Sequence, residues 1–267
     1  MILIDSLIKA IVCSDWLVLT VVGATLLLAT EAGFRFGLRH KPELRKARHG
    51  QSGALQGALL GLLGLLLGFT FAMAVGRYEA RKQLVLAEAN SIGTTWLRAG
   101  FLTPGTRDLI RPALLDYVDA RLAAANAPAG SPEFLEQLGR SEVGQAAMWR
   151  ATVSEVRTND TPATSLFVVS LNELIDLDAE RLAASRNHVP NSVWMLLLIV
   201  ASTVCWTTGY STGLGEAGRH ALPMIVLPVL LAIVTTIIAD IDNPRRGLIK
   251  VSQQSMVDLQ RTLLKHQ

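Results

Sequence analysis

Four stretches of this chain, near residues 16–34, 53–76, 191–208 and 221–239, are apolar and almost free of charge. Each holds about 20 residues. At about 1.5 Å per residue, a helix of that length crosses a hydrocarbon core of about 30 Å. Nothing else in the sequence restricts the fold so strongly. Half of the 267 residues are hydrophobic, and soluble core helices of this length and purity would be exceptional. The chain therefore reads as an all-α, four-helix integral membrane protein.

Between the second and third stretches the composition turns polar, and the periodicity stays helical. No proline separates the second span from "RYEARKQLVLAEANSIGTTWLRAGFL", so one long helix is expected to leave the membrane and run to about residue 99, where "TPGT" breaks it. Helical spacing recurs over 106–126 (Leu109, Ile110, Leu114, Tyr117, Val118, Leu122) and over 141–158. Ser131-Pro132-Glu133 has the form of a helix N-cap with proline in the first turn. A last helix is expected over 162–187. The organisation that follows is residues 1–76 as spans one and two joined by a short basic loop (35–52), 77–189 as an inserted helical domain, 190–241 as spans three and four, and 242–267 as an amphipathic tail. The glycine-rich "TTGYSTGLGEAGRH" reads as the turn after span three, and residues 1–15 as an interfacial segment, not a cleaved leader.

Several function classes are excluded or weakened. The formal charge is only +3, and no arginine-rich helix or aromatic-interleaved basic patch suggests nucleic acid. Cys13 and Cys205 lie in or beside apolar segments without Cys-x-x-Cys spacing and read as unpaired fillers. Glu173, Asp176, Asp178 and Glu180 are dense carboxylates on one helix. A metal site in a bundle draws Glu-x-x-His ligands from several helices, and His188 is the one histidine nearby. No nucleophile motif or phosphate loop appears, so no enzyme, metal or cofactor is expected.

The second span is unusual for its glycines. With one residue every 100°, Gly53, Gly57, Gly61, Gly64 and Gly68 form one narrow stripe, with Phe71, Ala72 and Val75 on or beside it. The opposite side carries Leu59, Leu63, Leu66 and Thr70, then Arg77, Arg81 and Glu88. Two readings of the stripe stay open. Small residues four apart let helices pack closely in lipid; alternatively, glycines widen a conduit that Phe69, Phe71 or Met73 narrows. Arg77, Arg81, Lys82 and Arg98 either anchor at headgroups and pair along the helix or form a cationic ring in an oligomer. Asp240, Asp242, Arg245 and Arg246 either cap span four or line a vestibule.

Basic residues on the two sides of the membrane nearly balance. The flanks of the first span differ sharply, however, with Lys9 before it and Arg35, Arg39, Lys41, Arg45, Lys46 and Arg48 after it. On that ground loop 35–50 is cytoplasmic.

The segment "LLGFTFAMAVGRYEARKQLVLAEANSIGTTWLRAGFL", with "LLDYVDAR", "SLNELIDLDAERLAA" and "DIDNPRRGLIKVSQQ" in that order, resembles the bacterial bestrophin-like family of integral membrane proteins. Through its remote similarity to bestrophin anion channels, the resemblance implies a homo-oligomer, a pentamer by that analogy. The second helix would line an anion-conducting pore in the bacterial inner membrane. It marks Gly64, Gly68, Phe69, Ala72, Met73 and Gly76 as pore candidates and sets Arg77 and Arg81 at the polar end. The other reading is a non-conducting scaffold or sensor whose helical domain binds a partner or ligand.

Overall fold

The computed structural model describes residues 15–39, 42–128, 130–215, 221–243 and 247–265, with backbone alone at 15, 42–52 and 221. The helices are α1 (Asp15–Leu38), α2 (Pro42–Arg98), a 3₁₀ turn (Ala99–Phe101), α3 (Pro104–Asn126), α4 (Pro132–Thr158), α5 (Pro162–Arg186), α6 (Asn191–Leu214), α7 (Ala221–Asp242) and α8 (Gln254–Lys265). No strand occurs among the described residues. Four helical segments are long and apolar enough to cross a membrane. The expectations for residues 1–14, including Cys13, and for Arg245 and Arg246 fall outside the described residues.

Two boundaries differ from the sequence reading. The basic stretch 35–52 is mostly helical backbone: α1 runs on to Leu38 and α2 starts at Pro42. Proline suits a first helical position because that N–H has no partner in the helix. Of the glycine-rich segment after span three, the part up to Leu214 is helical, since α6 continues to that residue. Its Gly209 and Gly213 serve a helix crossing instead.

The chain divides into two compact units, one comprising residues up to Gly76 with His188–Ile249, the other Arg77–Asn187 with the segment from Lys250 onward. In the first unit, Leu26, Leu63, Ala201, Val204, Cys205 and Leu231 form a buried core. There α1 and α6 approach backbone to backbone. A Cβ on Gly33 would overlap the carbonyl oxygen of Trp206; one on Gly209 would overlap that of Thr30, and one on Gly213 that of Phe34. At Gly37 a Cβ would sit 2.6 Å from the Tyr210 carbonyl oxygen. Each helix thus supplies a glycine pair four residues apart, the spacing that brings membrane helices close where lipid offers no hydrophobic drive. Beside the crossing, Trp206 and Tyr210 stack at 5.3 Å, with Phe36 at 5.9 and 6.0 Å from them.

Several buried polar groups in this unit bond within the protein, as a medium without water favours. Thr30, Thr70, Thr208 and Thr235 each donate to the carbonyl four residues back, at 2.7–2.9 Å. Gln56 Nε2 donates to Thr208 Oγ1 at 3.0 Å. At the end of α7, both oxygens of buried Asp242 accept from the Val189 N–H, at 2.9 and 3.1 Å, and Asp240 Oδ2 accepts from the Ile249 N–H at 3.1 Å.

The second unit is a helical bundle whose core includes Ile92, Trp96, Tyr117, Met148, Phe167 and Leu174. Ser131 Oγ caps α4 by accepting from the Phe134 N–H at 3.1 Å, and Thr161 Oγ1 caps α5 through the Thr164 N–H. The tail helix α8 lays Met256 and Leu263 into this core.

Candidate functional site

α2 carries one apolar face and one bare face through the membrane unit. Leu63, Thr70 and Ala74 are buried, with Leu59 and Leu67 packed at the core's edge. Opposite them, a Cβ built on Gly53, Gly57, Gly61, Gly64, Gly68 or Gly76 would meet nothing within 4 Å. Ala72 is exposed, and so are Phe69 (63%), Phe71 (46%) and Met73 (38%). The two faces are the ones helical spacing separates. Among the described residues the glycine stripe packs against no helix of this chain, and the branched face opposite it makes the contacts. Close glycine packing does occur in this protein, at Gly33–Gly37 against Gly209–Gly213. The signal was present as small residues four apart in both spans.

The basic residues sort by the same wheel. Arg81 shares the buried side and is 7% exposed. Its Nε and Nη2 donate to the carbonyls of Ala184 and Asn187 at 3.1 and 2.7 Å. These are groups at the C-terminal end of α5, where a helix presents unpaired carbonyls and a partial negative charge. Arg98 Nη1 likewise donates to the Leu166 carbonyl at 2.8 Å. Arg77 is half-buried, and Lys82, on the line of the stripe, lies 3.7 Å from Glu79.

Beyond the membrane, the buried side of α2 carries a polar cluster. Glu88, fully buried, accepts from Tyr117 Oη at 2.5 Å and Arg121 Nε at 3.0 Å, and pairs with Arg181. Arg121 also pairs with Asp178 at 2.6 Å, which accepts from Gln145 at 2.9 Å. Arg181 reaches Gln253 at 3.2 Å. Two carboxylates and two guanidiniums balance, and each charge has partners, which is the condition for burying ions without a large penalty. Burial, then the Glu88 carboxylate, pushes the Tyr117 phenol well above its usual range. A second knot surrounds Glu155. Burial would raise its carboxyl, but hydrogen bonds from Thr103, Thr106 and Asn159 outweigh that and hold it at about 2.

Of the carboxylates on α5, Asp178 belongs to the buried cluster and Asp176 accepts from Asn172. Among the described residues no group of three His, Cys, Asp or Glu side chains could hold a metal ion. The chemistry on view is that of ion pairs and helix capping, together with an unoccupied small-residue face on a membrane helix.

The model of the Bestrophin-like domain family matches residues 24–256. Among solved structures, a point variant of a bacterial bestrophin homologue from Klebsiella pneumoniae is similar with a TM-score of 0.66 at 12% identity, covering 90% of this chain and 97% of that one. A second structure of that homologue, phased on zinc, gives 0.64 at 13% identity over 90% and 96%. Among curated proteins no match is found. The family match covers most of both units and the whole of α2, and on it the chain belongs to the bestrophin-like family of membrane proteins.

Proposed function

We propose that this protein is an oligomeric ion channel of the inner membrane, with copies of α2 arranged around the conducting axis. One observation carries the reading: among the described residues six glycines on α2 are bare, over a length sufficient to cross the membrane, while the opposite face packs. A lipid-facing helix gains nothing from glycine, which costs about 1 kcal/mol per residue against alanine in a water-exposed helix. A face that lines a conduit, or meets another copy, gains close approach and width. Phe69 and Met73, one turn apart and exposed, are the candidates to narrow such a conduit by a hydrophobic constriction.

Anion selectivity and a ring of five rest on the family resemblance. The charges on the stripe's own line, Glu79 and Lys82, offset one another, and Arg81 is committed to α5 carbonyls, which leaves Arg77 as the cation nearest the membrane end. By the first-span flanks, the basic stretch 35–50 faces the cytoplasm. The test is purified protein reconstituted in planar bilayers under asymmetric chloride. We expect conductance with an anion-directed reversal potential, altered by Phe69→Ala and Met73→Ala. Silence from folded, oligomeric protein at both voltage signs, with and without calcium, would favour the scaffold reading and sink this one.

A further inference from the structure

The helical unit bears two outer faces of opposite chemistry. α4 and α5 form an antiparallel hairpin: residues 159–161 join them, and Gln145 on α4 donates to Asp178 on α5. Their buried sides hold Ser141, Met148 and Thr152 on α4 and Phe167, Leu171 and Leu174 on α5. At 100° per residue, the side of α4 facing away from these carries Val143, Ala146, Arg150, Val153 and Arg157. All five are exposed, Val143 at 68% and Val153 at 39%. The corresponding side of α5 carries Leu166, Val169, Glu173, Asp176 and Glu180, also exposed, with Leu166 at 49% and Val169 at 60%. The first strip is apolar and basic, the second apolar and acidic. Among the described residues Arg150, Arg157, Glu173 and Glu180 make no ion pair.

We propose that these two strips dock against each other between adjacent copies of this chain, α4 of one copy against α5 of the next. The proposal rests on the oligomeric reading above and supplies its extramembrane contact. Two unlike faces of one chain that fit each other make a heterologous contact, and such contacts close rings when the rotation is right. The levels agree as well. The hairpin turn fixes heights along both helices, so two hairpins side by side in the same sense bring Val153 of one level with Leu166–Val169 of the next. Arg150 then stands within about one helical turn, about 5 Å of rise, of Glu173, a distance an arginine side chain spans. Apolar residues at the centre with charge pairs beside them form the pattern of a specific interface, in which the charges set register and partner.

The test uses the full chain in mild detergent, with mass followed by light scattering on dilution. R150E and E173R should each raise the concentration of half-dissociation about tenfold or more, and R150E/E173R together should return it to within about threefold of wild type. Thermal unfolding checks that each variant is folded. Independently, chains carrying only Arg150→Cys mixed with chains carrying only Glu173→Cys should form disulfide-linked dimers under mild oxidation, which neither forms alone. An oligomeric wild type indifferent to both single reversals, or a double variant no better than either single, overturns the docking faces and leaves the channel reading standing. A monomeric wild type overturns the channel reading and the docking faces with it.

Discussion

Gly209→Ala should loosen the membrane unit by an amount the backbone geometry sets. The added Cβ would overlap the Thr30 carbonyl oxygen and lie 2.8 Å from the Thr30 carbonyl carbon and 2.9 Å from the Phe34 nitrogen. All three atoms are backbone of α1, so no side chain can rotate aside. Relief requires the two helices to part by on the order of 1 Å, which forfeits up to about half of each dispersion contact. At about 0.1–0.2 kcal/mol per atom pair and a few tens of pairs across a crossing, the loss is about 2–3 kcal/mol. Alanine's helix preference returns less than about 1 kcal/mol, so the net cost is about 2 kcal/mol. For a chain of this size that lowers the unfolding midpoint by about 4–8 °C. Gly33→Ala should cost a similar amount, and the double variant less than the sum, because the helices separate once. The control is Gly23→Ala on the same α1, where the new Cβ would meet Ala232 Cβ at an ordinary 3.6 Å; it should be neutral. Thermal unfolding in detergent, followed by circular dichroism, reads all four. If Gly209→Ala and Gly23→Ala melt together at the wild-type midpoint, the close crossing is wrong.

Three further outcomes follow from other sites. Glu88→Gln leaves Arg121 and Arg181 facing each other without their shared carboxylate, and should destabilise the helical unit by about 3–5 kcal/mol in chemical denaturation. Glu155, held at about 2 in the fold against 4.5 unfolded, contributes stability that is complete above about pH 4.5 and is lost as pH falls toward 2; the loss is about 3 kcal/mol, and a pH titration of the midpoint should show that slope vanish in Glu155→Gln. Gly64→Leu, placed where an added Cβ meets nothing within 4 Å among the described residues, should leave the thermal midpoint within about 2 °C of wild type while reducing bilayer conductance by more than half; unchanged conductance would remove the stripe from the conduit.

What could be read from the sequence was set by periodicity and by burial rules that a bilayer enforces. Four apolar blocks, the helix running on past Gly76, the Ser131 cap and the amphipathic α8 all announce themselves locally. The two faces of α2 are also visible, because a wheel needs only spacing. Their occupants are not, since a small-residue stripe has the same pattern whether it meets a helix, another copy or a conduit. Gly33–Gly37 and Gly209–Gly213 are illegible in the sequence for a related reason: each pair alone is ordinary, and their meaning lies in a contact between distant segments. Gly209 and Gly213 even imitate a turn. The buried cluster around Glu88 is likewise assembled from four helices and the segment before α8. Arg81 and Arg121 look like surface cations until the fold supplies α5 carbonyls to one and two carboxylates to the other.

The α1–α6 crossing also has a temporal side. Its halves are separated in the chain by α2, α3, α4 and α5, so they are made far apart in time. At about 5–20 residues per second, roughly 10–35 s pass between synthesis of Gly33 and of Gly209. Throughout that interval α1 stands in the bilayer with its glycine notch unfilled. The first span must therefore persist with that notch open and yet avoid pairing through it with a neighbour's nascent span. A chaperone or insertase that shields α1 until α6 emerges would serve this fold in particular, and a variant that fills the notch would bear its cost at the moment α6 arrives, not before.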